Sequence, residues 1–532
     1  MHKTAVGYAI GKLMQVMGAT LVAPLGIALY DNWSLELSEL LSLPDIVGFV
    51  LAILASLFIG TLLVLICRGG RNLQGIREGY AIVTIGWFAL TFLASIPMFL
   101  YFVSQRDSSA AGLMLSFTDA YFEIMSGFTT TGASILNDIE ALPRSLLFLR
   151  SMTHWLGGMG IITLAIVIFP AMGVSGYQMF RGEVPGPTKD RLRPRLAQTV
   201  SILWGVYLLL SAAETVLLLV GGMNLFDAVC HTFATMATGG FSTRNASIAA
   251  YNSDFIQWVI IVFMYFAGIN FLLHFRALRG DLHSLVKNKE FAFYTSVIVI
   301  TIVVITCVLS INGLAPEDEA ATHFRAETMT TEEFHAHYTE QSWEIEGFYN
   351  TLRTASFQTL AIVTTTGFVT ADFDMWPDFL RFLLVLLMFF GGCAGSTGGG
   401  IKMIRIMIVG RVAFNELRKL TQPRLVAPVK IGDQTIDDPR IINVVAFFIL
   451  FVVLFLVTAL LMTLFVPDLT TALACSAATI ANIGPGLAGI GAVENYGWIP
   501  VPGKWILVFS MLLGRLEIFT VLIVLRPAVW RK

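Results

Sequence analysis

The sequence predicts an all-α polytopic membrane protein with four membrane, pore-loop, membrane repeats in one chain around a pseudo-fourfold pore, plus two extra N-terminal transmembrane helices. Three observations predict it. Of 532 residues, 56% are hydrophobic and only 13% charged, the composition of an integral membrane chain. Ten segments reach the roughly 20 apolar residues that a spanning helix needs. Four short stretches, set between pairs of such segments, end alike: Thr129-Thr130-Thr131-Gly132, Met236-Ala237-Thr238-Gly239, Thr364-Thr365-Thr366-Gly367 and Ala481-Asn482-Ile483-Gly484.

The spanning segments are expected near 5–30, 44–67, 79–103, 145–169, 197–221, 254–275, 290–312, 379–408, 441–466 and 503–526. The first two fall in residues 1–70 and precede the repeats. The other eight pair around short segments near 114–127, 226–237, 348–363 and 468–481, which divides the chain into repeats at 71–196, 197–288, 289–438 and 439–532. Phe117-Thr118-Asp119-Ala120 and Leu225-Phe226-Asp227-Ala228 support duplication independently; their aspartates stand 13 and 12 residues before Gly132 and Gly239. Residues 313–346 form one long acidic connection, from Glu317 to Glu346 with Arg325 as its single Lys or Arg, and read as an extracellular insert.

Charge distribution sets orientation through the short loops. Of the 34 Lys and Arg residues, 25 fall on one side, including Arg68, Arg71 and Arg77, the run from Arg181 to Arg195, Arg276 to Lys289, Lys402 to Arg440, and Arg526 to Lys532. That side is expected to be cytoplasmic, with both termini inside. The first apolar run lacks a small-residue cleavage site after it and reads as a retained helix, not a signal peptide. The five cysteines show no CxxC spacing, so neither a disulfide framework nor a metal site is expected.

Non-helical backbone at membrane depth is tolerated only where it lines water or is buried in protein. Four such stretches meeting on an axis form a ring of carbonyls that can dehydrate a cation. Glycine reaches backbone regions barred to other residues, so Gly132, Gly239, Gly367 and Gly484 are the expected coordinating positions. Thr131, Thr238, Thr366 and Ile483 offer a second layer, from which the fourth repeat departs by lacking threonine. The preceding short helices point their negative C-terminal ends at the same place. In the eighth segment, Gly391, Gly392, Gly395, Gly398, Gly399 and Gly400 crowd ten positions. Glycine costs about 1 kcal/mol per helical position relative to alanine, so this stretch should unwind.

These residues carry a resemblance. His154-Trp155-Leu156-Gly157-Gly158-Met159-Gly160, the four filter sequences, Gly391 through Lys402, and Asn482-Ile483-Gly484-Pro485-Gly486 resemble the membrane subunit of Trk-type bacterial potassium uptake systems (TrkH), within the Trk/Ktr/HKT cation transporter superfamily. The two extra N-terminal helices look like the Trk branch, whereas the 313–346 insert is larger than the family leads one to expect. The resemblance implies potassium as the transported ion, since all four filter positions hold glycine and relatives with serine in the first tend to favour sodium. It implies an intramembrane gate at 391–400, and Arg515 below the filter as a positive barrier. It also implies a homodimer in the bacterial inner membrane and a cytosolic TrkA-type ring that binds ATP/ADP or NAD. This chain has neither a GxxxxGK[ST] loop nor a GxGxxG fingerprint in strand-to-helix context, so the nucleotide belongs to the partner. No nucleic-acid partner is expected.

Other readings compete at single residues. Arg515 could pair with Glu517; His154 and His274 suit packing or a hydrogen bond better than metal; Asn270 could line the cavity or bridge helices. Glu123, Asp119 and Asp227 could draw cations or serve as buried partners. At the level of function, a secondary carrier coupling potassium to protons or sodium by symport would need midplane carboxylates and inverted repeats. An intramembrane hydrolase using His154 or Ser396 would need converging nucleophile, base and oxyanion donors, and no GxSxG or HExxH occurs. The expectation is a transporter, not an enzyme.

Overall fold

The computed structural model describes residues 1–70, 75–106, 109–167, 192–312, 347–422, 427–432 and 434–530. The acidic insert at 313–346 and most of the basic run from Arg181 lie outside the described residues. Helix α1 (Lys3–Thr20) continues into α2 (Val22–Asp31), and after a single turn, α3 (Leu37–Leu40), α4 (Pro44–Ile66) returns. Pro44 in the first turn of α4 loses no intrahelical bond, and Asp45 meets the positive end of the helix. Gly11 and Gly60 let α1 and α4 cross closely: a Cβ on either would stand 2.7–2.8 Å from the other's carbonyl oxygen. Small residues at a crossing are how helices associate in lipid, where burial of apolar surface gives no net drive.

Each repeat then follows one plan of outer helix, pore helix and inner helix. The first is α5 (Ile76–Gln105), α6 (Ala110–Phe128) and α7 (Arg144–Val167). The second is α8 (Leu192–Val220), α9 (Leu225–Met236), and an inner pair α10 (Asp254–Ala267) and α11 (Phe271–Leu278). A one-turn helix, α12 (His283–Lys287), leads to the third: α13 (Lys289–Asn312), α14 (Phe348–Val363), α15 (Asp378–Met388) and α16 (Met403–Thr421). Strands β1 (Lys430–Ile431) and β2 (Gln434–Thr435) form a small hairpin before the fourth repeat. That repeat is α17 (Asp438–Met462), α18 (Leu469–Ile480), α19 (Val501–Arg515) and α20 (Ile518–Leu525), with α21 (Pro527–Trp530) at the end.

Six described helices are long and apolar enough to cross a membrane, or eight if each bent pair counts as one span. Of the ten expected spans, α7 falls short because Arg144, Arg150 and His154 lower its hydropathy, and α15 with α16 because the chain between them is unwound. Two segments expected to be continuous are not: α10 meets α11 at 104° and α19 meets α20 at 116°. Both breaks fall where an inner helix meets a pore-helix end, a contact that all four repeats share. Each brings a glycine against the C-terminal end of a pore helix: Gly157 at Phe128 O, Gly268 at Thr364, Gly398 and Gly399 at Thr364 O and Ala481 O, Gly514 at Ile480 O. Only in α7 does the helix pass the contact unbroken.

Pore helices start on capped ends. Ser109, Asn224 and Asp468 each accept from a backbone N–H in the first turn of α6, α9 and α18, removing one orphan donor apiece. Carboxylates on these short helices are tied to cations brought by other segments. Asp119 of α6 binds Lys504 of α19 at 2.6 Å and Arg106 at 2.7 Å. Glu123 binds Arg150 at 2.8 Å, and Arg150 also donates to Ser242 O at 3.0 Å. Asp227 binds Arg244 at 3.1 Å. The Asp119 pairing yields a prediction. Asp119→Ala leaves the fully buried Lys504 ammonium with only Gly497 O as partner, a loss of about 3–5 kcal/mol for a broken buried pair. A lowered melting temperature in detergent is expected, with much of it recovered in Asp119→Ala/Lys504→Met.

Candidate pore and filter

The four pore helices end in the same closure. One residue past the cap, Thr130, Thr238, Thr365 and Asn482 take left-handed backbone, with φ of 50°, 55°, 62° and 58°. Their N–H groups bond back three residues, to Gly127, Thr235, Ile362 and Thr479. The next N–H groups, of Thr131, Gly239, Thr366 and Ile483, bond back five residues, to Ser126, Ala234, Ala361 and Ala478, at 2.8–2.9 Å. That pair of bonds is a Schellman closure, which normally takes glycine at the left-handed position. A β-branched threonine there is strained by about 1–3 kcal/mol, and this site holds three.

A second left-handed residue follows two positions on: Gly132 (φ 78°), Gly240 (81°), Gly367 (77°) and Gly484 (98°). The sequence reading aligned Gly239 with the other three glycines and Thr238 with Thr131, Thr366 and Ile483. The backbone corrects that register by one residue: Gly240 is the equivalent of Gly132, Gly239 stands with Thr131, Thr366 and Ile483, and Thr238 with Thr130, Thr365 and Asn482.

The glycines close a ring. A Cβ on Gly132 would strike Gly239 O; on Gly240, Thr366 O; on Gly367, Ile483 O; and on Gly484, Thr131 O at 2.7 Å. Each glycine therefore seats the carbonyl of the next repeat, in the cyclic order one, two, three, four, one. Glycine is required twice over, by its φ and by the space.

The corners are not equal. In repeats one and three, Thr129 Oγ1 meets Thr131 Oγ1 at 2.8 Å and Thr364 Oγ1 meets Thr366 Oγ1 at 2.7 Å. In repeat four, the Asn482 amide donates to Thr131 Oγ1 and to Met511 O, both at 2.9 Å. The carbonyl of Gly484 also accepts the Tyr496 hydroxyl at 2.6 Å. The fourth corner was expected to differ through Ile483; Asn482 and Tyr496 are where its hydrogen bonding departs.

His154 staples this ring. Its Nδ1 donates to Gly127 O at 2.8 Å and its Nε2 accepts the Phe241 N–H at 3.2 Å, which fixes a neutral imidazole with both nitrogens in use. Gly157 and Gly158, on the same motif, let α7 reach Phe128 O and Ala237. His274 Nε2 similarly bonds Phe266 O at 2.8 Å, and no group of three or more His, Cys, Asp and Glu among the described residues could hold a metal ion. Glu123, Asp119 and Asp227 are the buried partners described above.

The stretch from Phe389 to Lys402 is unwound, as its glycines predict, and folded into a loop against the pore-helix ends. Phe390 pairs with Ile401 at its neck. Thr397 Oγ1 donates to Met236 O at 3.0 Å, and Gly399 N donates to Thr365 Oγ1 at 2.7 Å. Gly391 closes on Gly399 O, Gly392 on Gly268 O, Gly395 on Asn270, and Gly400, at φ 61°, on Gly391. Asn270 caps α11 through Leu272 N at 2.9 Å, so it bridges inner helix and loop.

Arg515 does not pair with Glu517. Its Nη1 donates to Thr397 O at 2.7 Å and its Nη2 to Gly157 O at 3.2 Å, so a buried guanidinium is held by loop and helix carbonyls. Lys402 Nζ reaches Ser396 Oγ at 3.3 Å and also Gly398 O. Two residues escaped the sequence reading. Glu290, at the start of α13, accepts from Ala394 N at 2.7 Å and from Ile404 N at 3.2 Å, tying both ends of the loop; its place beside a basic residue in the first turn gave no hint. Glu214 is a fully buried acid on α8 whose two carboxyl oxygens have no hydrogen-bond partner among the described residues, and a lone acid within an apolar run was the available signal.

The TrkH family, described as a cation transport protein, matches residues 46–532. The Trk system potassium uptake protein TrkH of Escherichia coli K12 is 36% identical over 536 residues, covering all of both chains. Its namesake from Salmonella typhimurium is 35% identical over the same span, and TrkG of E. coli K12 is 32% identical over 485 residues, 89% of this chain and 91% of that one. The crystal structure of the potassium transporter TrkH from Vibrio parahaemolyticus superposes with a TM-score of 0.81 at 33% identity, covering all of both chains.

The corrected register makes a prediction. Gly240→Ala drives a Cβ into a backbone carbonyl at a left-handed φ, whereas Gly239→Ala meets the His154 ring at 2.5 Å and carries no left-handed φ. Cation flux into vesicles should fall further for Gly240→Ala than for Gly239→Ala; equal losses, or the reverse order, would contradict the register.

Proposed function

Because the chain belongs to the TrkH family of cation transport proteins, we propose that it carries potassium inward across the bacterial cytoplasmic membrane by channel-like conduction, with the four corners as the filter. The family transports cations and is not enzymatic. The observation that carries the reading is the cyclic seating of each glycine on the next repeat's carbonyl. Such a ring holds carbonyl oxygens of Thr131, Gly239, Thr366 and Ile483 in one layer, where they can replace the hydration shell of an ion. Gly132, Gly240, Gly367 and Gly484 supply the adjacent layer, and repeats at 71–196, 197–288, 289–438 and 439–532 give one corner each.

The loop 391–400 and Arg515 form the gate in this reading. Loop residues bond directly to the pore-helix ends, and a fixed cation beside them opposes the passage of another. Opening then means moving the loop and Arg515 away together. A cytosolic TrkA-type ring holding ATP/ADP or NAD controls that movement, docking on the basic inner loops, where Arg276, Arg279, Lys287 and Lys289 form one group and Lys402 to Arg440 another. That side faces the cytoplasm with both termini, and the functional unit is a homodimer within the bilayer. The carrier alternative draws support from Glu214, a buried acid with no ion-pair partner among the described residues, whereas Asp119, Glu123 and Asp227 are ion-paired. Repeats that share one orientation, and the glycine ring itself, favour conduction.

The deciding measurement is the reversal potential of the purified chain in vesicles under opposed potassium and sodium gradients, with the partner ring and nucleotide supplied. Wild type should reverse near the potassium equilibrium value, and Gly132→Ser should move the potential toward sodium. Uptake that requires a proton or sodium gradient, with no current, would instead establish the carrier.

A further inference from the structure

Helix α16 begins at Met403, directly after the loop, so its first turn and the loop end move as one piece. Two acids hold that turn from other repeats or helices. Glu290 accepts the Ile404 N–H, and the next residue, Arg405, donates from Nη2 to Glu517 Oε2 at 2.6 Å. The Arg405 guanidinium also lies over the Phe447 ring of α17, 4.0 Å from its centroid, a cation–π contact that fixes its plane.

Glu517 is an unusual place to anchor an ion pair. It is the cap residue of α20, at the 116° break from α19. Its backbone is left-handed at φ 54°, a conformation strained for glutamate and found where surrounding contacts enforce it. Two residues earlier, Arg515 grips Thr397 O in the loop. The contacts thus run in a closed circuit: loop, α16, Arg405, Glu517, the hinge, Arg515, and the loop again.

Exposure separates this pair from those that merely build the fold. The Arg150 and Glu123 side chains are 1% and 0% exposed, whereas those of Arg405 and Glu517 are 14% and 22% exposed. A pair not sealed inside the protein is weaker and parts at lower cost than a fully buried one. Strained backbone at the hinge then favours the change once the pair lets go.

We infer that the Arg405–Glu517 ion pair is a latch: it holds α16 and the α19–α20 hinge in fixed relation, so that Arg515 stays on Thr397 and the loop stays across the path. The inference rests on the gate reading above. Both residues are positioning residues, acting through α16, the hinge and Arg515. Opening requires the pair to part, and whatever pulls on α16 acts through it.

The test is rubidium influx into vesicles holding the full chain without any partner ring, for wild type, Arg405→Gln, Glu517→Gln, the reciprocal Arg405→Glu/Glu517→Arg, and Arg515→Ala. Each neutral variant should raise basal influx several-fold with the potassium–sodium reversal potential unchanged, and the reciprocal swap should bring influx back toward wild type. A purely structural role would damage influx or selectivity and gain nothing from the swap. Basal influx unchanged in both neutral variants, while Arg515→Ala raises it, overturns the latch and leaves the gate standing. No rise in Arg515→Ala overturns the gate and the latch together. If a neutral variant fails to fold, Glu517→Asp keeps the charge but shortens the reach to Arg405; raised influx there supports the latch, and wild-type influx overturns it.

Discussion

Everything in this molecule turns on how four chain segments leave a helix at membrane depth without stranding their backbone groups. In hydrocarbon an unsatisfied N–H or carbonyl costs several kcal/mol. Each pore helix meets that demand with the same two backward hydrogen bonds and so turns its chain sharply within two residues. The turn brings the next glycine against a neighbour's carbonyl. Once four turns are locked together, the inner helices have to bring glycines up beneath them, and three of the four inner helices break in doing so. The Gly-Gly-Met-Gly run of α7, the bends at 104° and 116°, and the unwound loop are thus consequences of one packing requirement.

The charged residues around the pore helices follow from the same requirement at the next level. Asp119, Glu123 and Asp227 each stand on a pore helix and bind a cation brought by another segment: Lys504 and Arg106, Arg150, and Arg244. Buried pairs seldom add much net stability over apolar packing, and their best-attested service is to fix register. Here they set the depth and rotation of each short helix relative to its neighbours. The tolerance is tight, because a shift of a pore helix carries its carbonyl off the adjoining glycine.

Much of the architecture was legible. Hydropathy and repeat spacing gave the helices and pore helices, and six glycines in ten positions foretold the unwound loop, because both signals are local. Register in the second filter was not, since Gly239 and Gly240 are adjacent and only the φ values separate them. A clue was present: Asp119 stands 13 residues before Gly132, and the same interval from Asp227 lands on Gly240. The hinge at Glu517 had no clue, because the left-handed glutamate is held by Arg405, 112 positions away in the chain. His154 was read as packing or a hydrogen bond, yet its two bonds to separate repeats could come only from the fold.

The ring closes where Gly484 meets Thr131, and the Asn482 amide that reinforces this corner reaches a threonine 351 positions away in the chain. Contacts of such separation form late. A ribosome feeding this polypeptide into the bilayer has delivered three corners well before the fourth emerges, and for that interval no complete ring exists. On the conduction reading proposed above, a chain cut short of Gly484 lacks the closed ring and with it the filter. Joining the four corners in one polypeptide makes competence a property of the completed product, a check that a pore assembled from four identical short subunits does not have.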